Sequence, residues 1–315
     1  MSGPALLDAE AVERLLGYPD AVDALEAALR EGLDPEADPP RTAFRVDAGE
    51  LLLMPSSWEA AVGVKLATVA PGNPTRALPR IQGVYVLFDP ETLAPVAIVD
   101  GIALTSLRTA AVSALAVRHL AAAGARRLLV YGSGPQAWSH VQALRAVRPI
   151  EHVAAIARNA DRLESFVERC RRAGLEADPA AGDPPAALRA ADIVCCCTTA
   201  REPLFDGDLV GAGATVVAIG SHEPEAREVD ERLAERSIVV VEARSAALRE
   251  AGDVIQAIES GALDTDSLAT LAELVAGSLS MPDGRPRLFK STGMAWEDVV
   301  VAAALAQRAS EPRSA

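Results

Sequence analysis

The sequence predicts an α/β protein in which a doubly wound parallel sheet is joined to a discontinuous α+β domain. Three observations predict it. From Arg126 onward, short apolar strand-type runs alternate with helical stretches, the rhythm of a parallel sheet covered by helices on both faces. Between Arg41 and Ala97 the runs are strand-like, with Pro, Gly and Asp between them, as in a mainly antiparallel sheet. The chain has 315 residues, 50% of them hydrophobic, enough to bury a core in each of two domains.

Taken in order, residues 1–30 carry acid-capped, Ala/Leu-rich helical periodicity, read as two short helices that end before Pro35, Pro39 and Pro40. Strands are expected over 51–54, 62–69, 83–88 and 96–99. A long helix over 105–123 follows, with Thr105 as its cap and Gly124 as its stop. Strands over 128–131, 153–157, 193–197, 215–219 and 238–241 then alternate with helices, including one after Gly134 and one over 161–172. The run 288–291 leads into an apolar helix over 294–308, long enough to return to the first domain. The expected division is therefore 1–124 plus 292–315 for one domain and 125–291 for the other, with a frayed tail over 310–315.

Composition excludes several roles. Forty-four acids against 30 Lys and Arg give a net charge of −14, which repels phosphate backbones and anionic lipid. Nucleic acid and membrane partners are not expected. Acids run through the first thirty residues, so no secretory signal is read there. No apolar stretch approaches the roughly 18–20 residues that span a bilayer, and the expected location is cytoplasmic. The four cysteines are Cys170 and the run Cys195, Cys196, Cys197. That spacing fits no CxxC knuckle. Neighbouring strand residues point to opposite faces, so the run reads as small buried hydrophobes with no metal. His119, His140 and His152 lie in ordinary surface patterns and receive no role. Lys65 and Lys290 are the only lysines, and a lysine in so arginine-rich a set can mark a place where a compact, titratable ammonium is required.

The segment 128–137 places Gly132, Gly134 and Ala137 in the G-x-G-x-x-G/A frame between a strand and a helix. In that context it is a Rossmann-type dinucleotide turn: Gly132 permits the tight turn, Gly134 lets the backbone approach the pyrophosphate, and Pro135 suits a first helical turn. Ser133 and Gln136 complete the turn. Thr198 and Thr199 after the 193–197 strand, and Gly220 and Ser221 after the 215–219 strand, join the cofactor set. At the end of the second strand the chain offers Arg158 and Asn159 instead of an acid for the ribose hydroxyls. NADP(H) is therefore the expected cofactor, with NAD(H) possible.

Motifs along most of the chain resemble the ornithine cyclodeaminase/mu-crystallin family: Pro40-Arg41-Thr42, Leu53-Met54-Pro55, Gly63-Val64-Lys65, Thr105 to Ala111, Gly132 to Gln136, Gly220-Ser221, Glu228-Val229-Asp230, and Lys290 to Asp298. The resemblance implies a homodimer whose discontinuous domain provides the dimer contact and the substrate site. It also implies that Arg41, Lys65 and Arg108 bind the substrate carboxylate and take part in catalysis, and that Thr292 lines the substrate. Two guanidiniums and an ammonium suit the clamping of an α-imino or α-amino acid. Arg108 is expected in the first turn of its helix.

Two departures bear on the reaction. Where cyclodeaminases carry an Asp after the strand equivalent to 215–219, this chain has His222, and Arg80 replaces an expected small polar residue. An imidazole, which becomes a cation on protonation, does not replace a carboxylate that holds a distal ammonium. The expectation is reduction of a ketimine carboxylate, most simply a cyclic one, to an L-amino acid such as proline or pipecolate, with Lys65 or His222 giving the proton. Ornithine or lysine cyclodeamination, alanine-dehydrogenase-type oxidative deamination, and non-catalytic binding of NADPH and a small ligand are the alternatives.

Overall fold

The computed structural model describes residues 3–59, 61–180 and 182–311, so the tail from 312 lies outside the described residues. The chain forms two compact units, one running up to Val112 and resuming at Met294, the other Ser113–Gly293. The division falls within a long helix, upstream of the expected position near 124.

In the first unit, β1 (Ala5–Leu7), α1 (Ala9–Leu15) and α2 (Tyr18–Arg30) lead into the sheet strands β2 (Thr42–Val46), β3 (Gly49–Trp58), β4 (Ala61–Val69), β5 (Ile81–Phe88) and β6 (Pro95–Asp100). The six-stranded sheet has the order β1-β6-β5-β4-β3-β2, antiparallel from β2 to β6 and closed by parallel β1. Strand β1 is too short for a periodicity to reveal, and its pairing with β6 creates it. Side-chain alternation is plain in β4: Ala61, Gly63, Lys65 and Ala67 are buried, while Val62, Val64 and Leu66 are half-buried.

Helix α3 (Gly101–Leu120) begins earlier than expected. Its start is set by Asp100, whose Oδ1 accepts from the Ile102 and Ala103 N–H groups at 3.0 and 2.8 Å, so the cap is Asp100 and not Thr105. Arg108 is consequently the eighth helical residue, two turns in, rather than a first-turn residue.

The second unit alternates β7 (Arg127–Tyr131), α4 (Pro135–Val147), β8 (His152–Ile156), α5 (Ala160–Arg172), β9 (Glu176–Pro179), α6 (Pro184–Ala190), β10 (Ile193–Cys196) and β11 (Thr215–Ala218). It continues with α7 (Glu231–Arg236), β12 (Ile238–Val241), α8 (Arg244–Glu250), α9 (Gly252–Glu259), β13 (Ala269–Thr270), α10 (Leu271–Val275) and β14 (Arg287–Lys290). All eight strands are parallel, in the order β13-β12-β14-β11-β10-β7-β8-β9. Read from β9 to β11, this is the 3-2-1-4-5 order of a doubly wound dinucleotide fold, with the last strand, β14, inserted between β11 and β12, which confirms the predicted class.

Helix α11 (Ala295–Ser310) rejoins the first unit and packs over β3, β4, β5 and α2. It is buried almost all round at its start, with Trp296, Val299 and Val301 at most 1% exposed, so it lies across the inner face of the sheet as a core element. Among the described residues no helix is long and apolar enough to cross a membrane.

Candidate active site

Antiparallel register builds the first part of the site. Met54 lies opposite Lys65, and Lys65 opposite Tyr85, all three on the inner face and at most 5% exposed. Helix α11 crosses this row and supplies the counter-charges. Lys65 Nζ donates to Asp298 Oδ2 at 2.7 Å; Arg108 donates to Glu297 Oε2 at 2.6 Å and its Nε lies 3.3 Å from Asp298 Oδ1. Both carboxylates are fully buried. Next to them, Asp38 accepts from the Ser56 hydroxyl and the Trp296 N–H, each at 2.6 Å.

The electrostatic outcome follows from desolvation competing with pairing. Burial, reinforced by the Arg108 guanidinium, pulls the Lys65 ammonium down to about 8, even though Asp298 and Glu297 work in the other direction. Burial raises the Asp38 carboxyl to about 6, with Asp298 adding to the rise. The Tyr85 hydroxyl is also pushed up, first by burial and then by Asp298 and Asp38. It fills the space that Gly63 leaves empty, and it has no hydrogen-bond partner among the described residues. An ammonium whose proton is exchangeable near neutral pH, held by a fixed carboxylate, is suited to general acid chemistry.

Arg41 directly precedes β2, where Thr42 faces Leu53; one more step in that register sets it level with Met54 and Lys65. Arg80 is placed differently. It is exposed at the β4–β5 connection, five residues from Tyr85 and so about 17 Å along the strand from the buried row. The expectation that it adds charge to the pocket is not met by this placement.

In the second unit, Gly132 has φ +118°, and a Cβ there would lie 2.5 Å from the Cys197 carbonyl oxygen. Only glycine fits both constraints. Gly134 is the N-cap of α4 without a side-chain cap, Pro135 opens the helix, and both are exposed. Ser133 is half-buried between them. The Gln136 side-chain oxygen is buried with no partner among the described residues. A glycine cradle, uncapped helical N–H groups and an unmatched polar atom fit a dinucleotide pyrophosphate. Gly132→Ala is expected to weaken binding of the reduced nicotinamide dinucleotide about tenfold or more, from backbone strain of order 1–3 kcal/mol. Fluorescence titration checks this, and an unchanged Kd in a folded variant would contradict the turn's role.

The other expected cofactor residues divide. Arg158 and Thr199 are exposed. Asn159 is the N-cap of α5, its side chain accepting from the Arg162 N–H at 2.9 Å. Thr198 donates through both N–H and hydroxyl to Glu228 Oε1, at 2.8 and 2.7 Å, and the Gly220 N–H donates to Glu228 Oε2 at 2.7 Å. Glu228 thereby ties together the loops that follow β10 and β11, and a side chain on Gly220 would collide with it. Asp253 Oδ1 accepts from the Glu228 and Val229 N–H groups, and its Oδ2 pairs with Lys290 Nζ at 2.8 Å. Lys290 also donates to the Ser221 carbonyl at 2.7 Å, while the Ser221 hydroxyl donates to that of Ala226. His222 follows, exposed, on the same loop. Thr292, half-buried, is fixed by Glu242, which accepts from its N–H at 2.9 Å, from the Ser291 hydroxyl at 2.6 Å and from the Gly293 N–H at 3.1 Å.

Sequence reasoning missed these acids as a group. Glu228, Glu297 and Asp298 lie within motifs it singled out but received no role there, and Asp38, Glu242 and Asp253 carried no signal among 44 acids. It also placed a buried histidine on the surface and missed which cysteines come together. Cys196 packs into the core as expected, but Cys195 and Cys197 share the other face, where their sulfurs lie 3.5 Å apart beside His140, which is fully buried instead of on the surface.

A doubly wound sheet with a glycine turn and a buried cluster of lysine, arginine and carboxylates together define a dinucleotide-binding α/β protein of two units. The chain belongs to the ornithine cyclodeaminase/mu-crystallin family, which it matches over residues 3–313. It is 35% identical to the ketimine reductase mu-crystallin of Rattus norvegicus over 309 residues, 95% of each chain. A structure of Thermococcus litoralis Δ1-pyrroline-2-carboxylate reductase with NADH and L-proline superposes with a TM-score of 0.91 at 31% identity, covering 97% of each chain. An archaeal alanine dehydrogenase dimer with bound NAD gives a TM-score of 0.88 at 29% identity, covering 97% of this chain and 96% of that one.

Proposed function

We propose that the protein is an NAD(P)H-dependent reductase of ketimine carboxylates, making an L-amino acid such as proline or pipecolate. The observation that carries this is the buried Lys65–Asp298 pair beside Arg108, a strand cation and a helix cation fixed by the same acidic turn of α11, with the ammonium near its titration point. A nicotinamide held there would supply the hydride for the imine carbon. Arg41 and Arg108 clamp the carboxylate, and Lys65 gives the proton to the imine nitrogen. Asp298 positions Lys65, and Glu297 positions Arg108. The proton role goes to Lys65 and not to His222, which is exposed. Thr292 lines the substrate, and Gly132, Ser133, Gly134, Pro135 and Gln136 hold the pyrophosphate.

Support comes from the relatives, a ketimine reductase and a pyrroline-2-carboxylate reductase among them. The test is addition of Δ1-pyrroline-2-carboxylate or Δ1-piperideine-2-carboxylate to enzyme and NADPH. Cofactor oxidation with proline or pipecolate formed is expected. Inertness towards both, with NADH produced from L-alanine instead, would favour the alanine dehydrogenase reading that the archaeal relative suggests. In this reading Arg158, exposed just after β8, contacts a 2′-phosphate, so Arg158→Gln should raise KM for NADPH while leaving that for NADH unchanged. Equal effects on both would remove the preference.

A homodimer is proposed through the outer face of the first unit's sheet. Leu51, Leu53, Val64, Leu66 and Val84 line that face half-buried or exposed, and Phe44 is 62% exposed. A sheet apolar on both faces calls for a cover on the second. Sedimentation as a monomer would contradict it.

A further inference from the structure

The buried groups that the proposed reaction leaves unused include one compact set of soft ligands. His140, Cys195 and Cys197 each present a ligand atom, and these atoms lie within 4.8 Å of one another. Residues two apart at a strand end share a face, which brings Cys195 and Cys197 together; α4 adds His140 from the neighbouring layer.

The histidine is already oriented as a ligand. Its Nδ1 lies 2.8 Å from the Gln136 carbonyl, which can only accept, so Nδ1 carries the proton and Nε2 keeps the lone pair. Burial holds the ring neutral, with its pKa pulled down to about 4. The Ser113 hydroxyl, 2.9 Å from Nε2, donates to that lone pair, and an ion would take its place. A ring fixed through Nδ1–H to a backbone carbonyl is the usual support for an Nε2-bound metal.

We infer that His140 Nε2, Cys195 Sγ and Cys197 Sγ form a site for a single soft divalent ion of the zinc–cadmium class. Bonds of about 2.0–2.3 Å in a tetrahedral site set ligand atoms about 3.5–3.8 Å apart, so the two sulfurs, 3.5 Å apart, already stand near that spacing, and His140, with all three atoms within 4.8 Å of one another, need move in only modestly. Both thiols lose their protons on coordination, so each ion bound releases two protons, and the fourth position is left to water. Cys197 is the half-buried member of the three.

The site also touches the dinucleotide turn. The Cys197 carbonyl is the atom that excludes a side chain at Gly132, and the carbonyl that fixes His140 belongs to Gln136 in the first turn of α4. Seating His140 on an ion pulls at the Gln136 carbonyl, and tethering Cys197 stiffens the other wall of the turn. Ion and dinucleotide are therefore antagonists, a consequence that rests on the cofactor assignment proposed above.

The test uses the full chain, reduced and metal-free, titrated with Cd²⁺ while thiolate-to-cadmium absorption and proton release are followed. One ion and two protons per chain are expected, with the band lost in Cys195→Ser/Cys197→Ser and kept in Cys170→Ala. X-ray absorption of the zinc-loaded, unmodified chain should count two sulfurs and one imidazole, which keeps the test independent of whether the double variant folds. No stoichiometric band, or any other ligand set, overturns the site. One equivalent of Zn²⁺ should then raise the Kd for NADPH, about 5- to 150-fold if the coupling is of ordinary size. An unchanged Kd overturns the antagonism alone, whereas failure of the metal-free chain to bind NADPH strikes the cofactor assignment and leaves the ion site standing.

Discussion

Lys65→Met is expected to lower kcat for imine reduction by about 10²–10⁴-fold, the usual contribution of a positioned general acid, while NADPH still binds. The cause is local: the ammonium sits 2.7 Å from Asp298 in a buried row. The pH profile carries the sign. Lys65, lowered to about 8, is the protonated donor below that value, so kcat/KM for reduction should fall as pH rises through about 8. Lys65→Arg keeps a cation that does not lose its proton, so whatever activity remains should no longer fall over that interval. A wild-type profile flat from pH 7 to about 9.5 would remove Lys65 as the donor. Asp38, raised to about 6, predicts a change on the acid side, as its carboxylate is lost when pH falls through that value.

The largest stability effect is expected at Asp253. Asp253→Asn keeps a side-chain oxygen for the Glu228 and Val229 N–H groups but strips the charge facing Lys290, in a pair that is fully buried. An uncompensated buried charge costs about 3–5 kcal/mol, read as a lower midpoint in urea unfolding. Adding Lys290→Met removes the orphaned ammonium and should recover much of that loss. If the single variant unfolds at the wild-type midpoint, the pair does not hold the loops as described.

Both experiments turn on the two lysines, and this is where the sequence was most legible. Their scarcity marked Lys65 and Lys290, and each proves buried in an ion pair. The parallel sheet, the glycine turn and the return of the last helix were equally readable, because period, glycine spacing and apolar length are local properties. Ion-pair partners are not. Asp298 lies 233 residues from Lys65 in the chain, and no local pattern distinguishes it from the solvated acids. The start of α3 was misplaced because Asp100 does double duty, ending β6 and capping the helix, while Thr105 offered a plausible cap further on. The cysteine run misled for a related reason: adjacent residues do face apart, but the alternate pair shares a face with a histidine from another layer.

The central claim is tested most directly by isotope transfer. NADPH deuterated on the transferred side of C4 is incubated with the enzyme and Δ1-pyrroline-2-carboxylate, and the proline formed is examined by mass spectrometry and NMR. One deuterium at Cα of L-proline is the expected result. Proline formed without that label, or no proline in the presence of bound NADPH, would contradict the account.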